Sequence, residues 1–151
     1  MADKTNSYER RTWWTRYDLT ARLTDAAFLE AAVTGAFLIA AADGHADEVE
    51  HDALLDRLEI LGGVDRDIID DHLTEAARAL EETEFAAVIG RCAALVPSKE
   101  AAEAAMMLAM AVALADDDVS KEEREIASQL ATAIGLPGLD LDSMIVELRG
   151  Q

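Results

Sequence analysis

The sequence contains few residues that cross-link a chain or break its helices, with one cysteine, two prolines and eight glycines among 151 residues. A single cysteine excludes an internal disulfide and a cysteine-rich zinc site. Few prolines and glycines, together with many alanines, favour long helices packed at close range. We therefore expect an all-α fold of about seven helices. We also expect one compact domain, because a chain of this length buries about 70% of its unfolded surface.

Basic residues are also scarce, with 13 Lys and Arg against 31 Asp and Glu and a net charge of −18. Five of these bases lie at or before Arg22, so the rest of the chain carries 28 acids against eight bases. Such a surface repels a phosphate backbone, and we expect no nucleic-acid partner. It attracts cations and basic protein surfaces, but it also serves solubility, and composition leaves both interpretations open.

Hydrophobic runs long enough to cross a bilayer are absent from the sequence. The apolar stretches 26–42 and 101–115 are rich in alanine, contain Glu30 or Glu103, and fall short of the ~20 residues that a span requires. The first residues do not resemble a signal peptide, so we expect a cytoplasmic location. The motifs of nucleophilic and nucleotide-dependent enzymes are missing too, and we expect a protein that is not an enzyme.

Aromatic residues make up 5% of the chain, and every Trp and Tyr lies at or before Tyr17. We interpret residues 1–22 as a mobile, aromatic and basic N-terminal element and residues 23–151 as the helical domain. Two interpretations of Trp13, Trp14 and Tyr17 are open. In the first they fold back as a lid on the helical core, with neighbouring arginines pairing with its acids. In the second they anchor the protein at the surface of a membrane or of a partner, a boundary where aromatic and cationic side chains are favoured.

What the sequence does contain is one pattern that occurs twice, with Asp43 of the first copy equivalent to Asp116 of the second. Each copy has an alanine-rich apolar helix, a short acidic turn, a polar helix and a glycine that stops it. Asp47-x-x-Glu50 and Ser120-x-x-Glu123 both match the capping-box pattern at the start of the polar helix. The repeat predicts two equivalent halves, each with an acidic turn between a buried helix and a surface helix.

Apolar residues at helical spacing predict seven helices after the N-terminal element. Thr24 and Ser98 are the candidate N-caps of the two alanine-rich helices, and Pro97 and Gly135 end helices. Ile68 is among the residues expected to face inward. The predicted helices cover residues 26–42, 47–61, 65–80, 84–96, 99–115, 120–134 and 140–148.

The acidic turns offer clustered carboxylates, the oxygen ligands that hard divalent cations prefer. Neither turn is an EF-hand loop, because counting from Asp43 or Asp116 gives no glycine at position six and no glutamate at position twelve. An aspartate at a helix C-terminus faces partially negative carbonyl groups, and a bound cation relieves that repulsion. The alternative is that these side chains cap helices or are solvated. The candidate metal ligands are Asp43, Asp47, Glu50, Asp116, Asp118 and Glu123.

This arrangement resembles the TerB family of tellurite-resistance proteins over residues 25–148. The first half carries Ala42-Asp43-Gly44-x-x-Asp47-x-x-Glu50 and a helix ending at Gly62. The second half carries Ala115-Asp116-Asp-Asp-x-Ser120-x-x-Glu123 and a helix ending at Gly135. By this resemblance the family's acidic residues fall on Asp43, Asp47, Glu50, Asp116 and Glu123, whereas Ser120 stands where symmetry with the first half would place a carboxylate.

The resemblance implies an internally duplicated helical domain in a cytoplasmic stress response to tellurite. It implies a metal-linked scaffold at the inner face of the cytoplasmic membrane, beside a TerC-like membrane protein and TerD-like proteins. The implied cofactor is a divalent cation, with calcium, magnesium or zinc as candidates. The alternative is a metal-free scaffold whose solvated acidic face binds other proteins directly.

Overall fold

α-Helices make up most of the described chain, and no β-strand occurs within it. The structure, a computed structural model, describes residues 12–42, 51–59, 64–113 and 119–150. The all-α class is confirmed, with seven helices where the sequence predicts them and two short ones in the N-terminal element. The helices are α1 (Thr12–Arg16), α2 (Leu19–Arg22), α3 (Ala26–Ala40), α4 (His51–Glu59), α5 (Arg66–Glu82), α6 (Phe85–Leu95), α7 (Lys99–Ala113), α8 (Lys121–Ala133) and α9 (Leu141–Gly150).

The helix ends follow the capping residues in the sequence, with one correction. The hydroxyl of Ser98 accepts a hydrogen bond from the amide of Ala101 at 3.1 Å, as an N-cap of α7 does. Thr24 is not the N-cap of α3, because its hydroxyl donates to the carbonyl of Ala21 at 2.7 Å. Asp25 takes that role, and its carboxylate accepts from the amide of Ala27 at 3.0 Å.

The two central helices, α3 and α7, bury the same positions of the repeat. In α3 the buried residues are 28, 29 and 31–39, and the equivalent residues of α7, 101, 102 and 104–112, are all buried as well. The partly exposed position inside each run is a glutamate, Glu30 in α3 and Glu103 in α7. Each central helix is therefore apolar around almost its full circumference, which is typical of a helix enclosed by others.

The packing of the helices is similar when the first half (α3–α5) is exchanged with the second (α7–α9). Each second helix packs against the central helix of the other half, α4 on α7 and α8 on α3. Each third helix packs against the first and second helices of its own half. The connecting helix α6 packs against α3, α5 and α8. These reciprocal contacts are the arrangement that an internal duplication predicts.

Helix α8 runs antiparallel to α3. A β-carbon added to Gly35 would lie 3.1 Å from Cδ2 of Leu130, so α8 touches α3 at that glycine. One turn after Leu130, Ile134 at the C-terminal end of α8 lines a small cavity together with Ala31, which lies one turn before Gly35 in α3. The absence of a side chain at Gly35 therefore permits the close approach of these helices.

Helix α8 is also antiparallel to α7, because the loop after α8 lines a cleft with Lys99 and Glu103 at the start of α7. Since α8 opposes both central helices, α3 and α7 run parallel to each other. Their C-terminal residues, Ala40 and Ala113, consequently lie at the same end of the bundle. The start of α8 lies at that end too.

The N-terminal element packs into the same core as the rest of the protein. Trp13 and Trp14 are 2% and 3% exposed, and the indole N–H of Trp14 donates to the hydroxyl of Thr20 at 2.7 Å. Burial of both indoles is what the lid interpretation requires. The predicted boundary after residue 22 stays a prediction, and residues 1–11 lie outside the described part of the chain.

One residue expected to face inward does not do so. Ile68 in the first turn of α5 is 47% exposed. Its neighbour Ile69 is fully buried and begins the inward stripe that Leu73 and Ala76 continue. A helix start with two adjacent isoleucines can bury one of them at the centre of the stripe, and periodicity alone does not choose which.

Candidate functional site

The candidate site begins where α3 and α7 end, at one end of the bundle. The last turn of each helix is apolar, and neither carries a basic side chain there. A helix C-terminus bears a partial negative charge of about half an electron, so two parallel helices place two such charges at the same end. No basic residue in the last turns of these two helices compensates for them.

The sequence places carboxylates directly after both helix ends. Asp43 follows Ala42, the last described residue after α3, and the acidic run of the second half begins at Asp116, shortly after α7 ends at Ala113. The candidate ligands outside the described residues are Asp43, Asp47, Glu50, Asp116 and Asp118. Their assignment as ligands stays a prediction.

The sixth candidate, Glu123, lies at the start of α8 and takes part in a capping box. Its Oε1 accepts a hydrogen bond from the amide of Ser120 at 2.8 Å, while the hydroxyl of Ser120 accepts from the amide of Glu123 at 3.0 Å. The second capping box predicted from the sequence is therefore confirmed. Oε1 of Glu123 is bound to the amide at the helix end, and the second oxygen of the same carboxylate can still accept a further bond.

Glu122 and Glu123 both lie in the first turn of α8. They face the partially positive N-terminus of that helix, a placement that stabilises the helix. The partial positive charge at the N-terminus of α8 is thus neutralised by Glu122 and Glu123. It therefore does not offset the partial negative charges at the C-termini of α3 and α7.

Other groups that could bind a metal do not form a site in the described residues. No cluster of three or more His, Cys, Asp or Glu side chains suited to a metal ion occurs within residues 12–42, 51–59, 64–113 and 119–150. Cys92 is buried in α6, and that burial, followed by the negative charge of Glu30, raises the pKa of its thiol to about 12. A thiol with so high a pKa stays protonated near neutral pH and is therefore a poor nucleophile.

At the opposite end of the bundle an open cleft lies between the start of α7 and the loop after α8. Its lining includes Lys99, Glu103 and Asp140 together with apolar loop residues. The cleft carries charges of both signs, in contrast to the acidic end. Gly135 in this loop has a φ of 96°, and this left-handed conformation ends α8 as the sequence predicts.

None of the described helices combines the length and hydrophobicity needed to cross a membrane. Comparison of the chain with curated proteins and with solved structures found no match. Comparison with protein-family models matched residues 29–145 to the family described as tellurite resistance protein TerB. The match covers most of α3, all of α7, both acidic turns and the first half of α9, and the chain therefore belongs to the TerB family.

Proposed function

We propose that the protein is a non-enzymatic TerB module of a cytoplasmic response to tellurite, and that its two acidic turns together bind one divalent cation. The observation that carries the proposal is the parallel arrangement of α3 and α7. Because both helices end at the same end of the bundle, the acidic residues that follow them in the sequence start from that end. If α3 and α7 were antiparallel, the residues that follow them would start from opposite ends of the bundle.

Electrostatics favours a cation at this end of the bundle. Two helix C-termini bring partial negative charges together, and the sequence adds Asp43 after one and Asp116 after the other. Carboxylates gathered in this way repel one another unless a cation or a basic group lies between them. Calcium and magnesium bind oxygen ligands of this kind, and zinc also accepts carboxylates.

The bound cation would act as a switch on the surface charge. With the cation bound, the acidic end is less negative, and a different partner surface can dock there. By family resemblance the partners are a TerC-like membrane protein and TerD-like proteins at the inner face of the cytoplasmic membrane. The charge of the body argues against nucleic acid as a partner.

The test is thermal unfolding of the chelator-treated protein with and without millimolar calcium, magnesium or zinc. A cation that binds the folded state at about a hundred times its Kd adds about 2.7 kcal/mol of stability, which corresponds to roughly 5–10 °C for a protein of this size. We expect this shift for at least one of the three ions in the wild type. Asp43→Asn combined with Asp116→Asn should abolish it.

Glu81→Gln provides the matched control, because Glu81 is an exposed acid on α5. This substitution removes one negative charge without touching the acidic turns, so the ion-dependent shift should survive it. If no ion stabilises the wild type, or if the control loses the shift as fully as the double variant, cation binding by the turns is wrong.

The capping box at Ser120 favours a second candidate function, a metal-free scaffold whose acidic end binds a basic protein surface. Glu123 already serves α8 as a cap, so it is not free to devote both oxygens to a cation. In this case the melting profile is insensitive to ions already in the wild type, and Asp43→Asn with Asp116→Asn weakens capture of the basic partner. Pull-down from tellurite-stressed cells with and without a chelator separates the two functions.

A further inference from the structure

Helix α6 forms an ion pair with the third helix of the first half, and the N-terminal element forms one with the third helix of the second half. Arg91 of α6 lies 3.6 Å from a carboxylate oxygen of Glu75 in α5. Arg16 of α1 lies 2.6 Å from a carboxylate oxygen of Glu147 in α9. In each half, therefore, an arginine from outside the three repeated helices pairs with a glutamate of the third helix.

The two glutamates lie on the third helices at positions that are not equivalent. Aligning the starts of these helices, Asp65 with Asp140, matches the buried Ile69 with the buried Met144. In this alignment the two glutamates lie three residues apart. The two contacts are therefore of the same kind, an arginine–glutamate pair, but at different positions of the third helices.

The N-terminal element is organised mainly by contacts within itself. The Trp14 indole bonds to Thr20, the guanidinium of Arg16 donates to the hydroxyl of Tyr17 at 2.7 Å, and Arg22 donates to the carbonyl of Tyr17 at 3.0 Å. Asp18 turns the chain between α1 and α2 with a φ of 56°, a conformation that Asp tolerates better than most residues. Contacts of this local kind hold the two short helices together as one unit.

The contact between this element and α9 is different in character. The side chain of Arg16 is 57% exposed and that of Glu147 is 25% exposed, so solvent and salt weaken their attraction. Burial of Trp13, Trp14 and Leu19 in the core supplies the apolar part of the attachment. Segments that depend on a few such contacts open at a lower free energy than the enclosed core.

We propose that residues 12–22 form a strap that closes on α9 as α6 closes on α5, and that this strap opens as one unit while the bundle stays folded. The closed strap completes the second half of the fold. The open strap presents two indole rings together with Arg16 and Arg22. The strap lies outside residues 29–145, which match the TerB family.

The sequence supplies a specific probe, because Trp13 and Trp14 are the only two tryptophans in the protein. Tryptophan emission and its quenching by acrylamide report the strap alone, whereas circular dichroism at the helical minimum reports all of the helices. In a urea titration of the full-length protein we expect the tryptophan transition at a lower urea concentration than the helical transition. In native buffer both indoles should be protected from acrylamide.

Glu147→Gln and Glu75→Gln form a matched pair of variants for the test. Glu147→Gln should raise the open population of the strap by about two- to fivefold, the effect of losing a partly exposed ion pair, and leave the helical transition in place. Glu75→Gln should leave the tryptophan transition unchanged. Reversing both charges, Arg16→Glu with Glu147→Arg, should restore the closed strap.

Two results would overturn the proposal. Coincident tryptophan and helical transitions in the wild type would make residues 12–22 an integral part of the core, with no separate opening. Free quenching of the indoles in native buffer would show that the strap is not closed on α9. Both measurements use the wild-type chain, so neither depends on a variant folding.

Discussion

The two halves of the protein agree closely in their central helices and differ in the helices around them. α3 and α7 have equivalent ends, bury equivalent positions and carry a glutamate at the same partly exposed position. Around them, Leu54 and Leu58 of α4 are buried where α8 has the buried alanines Ala127 and Ala131. The duplication therefore preserves the backbone arrangement of the central pair, while side-chain volume is redistributed between the halves.

Gly35 illustrates this redistribution. Its counterpart in α7 is the buried residue Leu108. In the first half the missing side chain makes room for Leu130 of α8, and α4 has Arg57 at the position equivalent to Leu130. The small Gly35 thus lies against the large Leu130, so Gly35 is not interchangeable with its counterpart Leu108.

The largest expected effect comes from replacing a buried residue of α3 with the residue found at the equivalent position of α7. Leu38 is fully buried, and the equivalent residue of α7 is Ala111. Leu38→Ala should cost about 2–5 kcal/mol, since it removes buried methylene groups and leaves a cavity that the tightly packed central pair cannot fill. Urea unfolding followed by circular dichroism measures the loss. Val146→Ala on the exposed face of α9 serves as the control and should change stability by less than about 0.5 kcal/mol.

A loss below about 1 kcal/mol for Leu38→Ala would mean that the surrounding helices collapse into the vacated space. In that case the central pair is adaptable, and the repeated burial pattern does not reflect rigid packing.

The next effect compares the same substitution at two helical glycines. A β-carbon at Gly35 would lie 3.1 Å from Leu130 and 3.3 Å from Ala109, whereas one at Gly90 would meet nothing within 4 Å. Gly90→Ala should stabilise the protein by about 0.5–1 kcal/mol through helix propensity. Gly35→Ala gains the same propensity but forces α3 away from α7 and α8, so we expect it to be less stable than Gly90→Ala by about 1–3 kcal/mol. Equal thermal midpoints for the two variants would contradict the close approach at Gly35.

A smaller effect compares the starts of the second helices. Ser120→Ala removes the cap of α8 and should cost about 1 kcal/mol. Asp47→Ala, at the equivalent position of the first half, should cost a similar amount in chelator if Asp47 is also a cap. When cation is added, only Asp47→Ala should lose further stability relative to the wild type, because Ser120 supplies no carboxylate. Identical losses for both variants with and without cation would leave Asp47 as a cap alone.

The helices could be predicted from the sequence because their signals are local. The alanine-rich stretches, Pro97, the serine N-caps and Gly135 fix where helices begin and end within a few residues. The choice of Asp25 over Thr24 is not local, because both residues suit an N-cap and the bond that Thr24 makes to Ala21 depends on α2, a short helix without a periodic signal. The exposure of Ile68 has a similar cause, since the neighbouring helices decide which isoleucine lies at the centre of the stripe.

The candidate site could be predicted less completely than the fold. The repeat identifies which carboxylates are equivalent, but the relative direction of α3 and α7 depends on how these helices pack against each other and against α8, which residue spacing does not encode. The contact between Arg16 and Glu147 could not be predicted from the sequence either, because the two residues are 131 positions apart in the chain.

The smallest expected effect concerns the starts of the third helices. Asp65 caps α5 by accepting from the amide of Asp67 at 2.8 Å, whereas Asp140 accepts from both the amide and the hydroxyl of Ser143, at 3.1 and 2.8 Å. These two bonds hold the pKa of Asp140 below its usual value. A carboxyl whose pKa is lowered by folding contributes stability above its unfolded pKa near 3.8, and that contribution is lost as the pH falls through the folded value. Ser143→Ala removes the hydroxyl bond and should move the pKa of Asp140 upward, as measured by NMR titration of its carboxyl carbon. If the pKa does not move, the amide bond alone sets it, and the two third helices begin with equivalent caps.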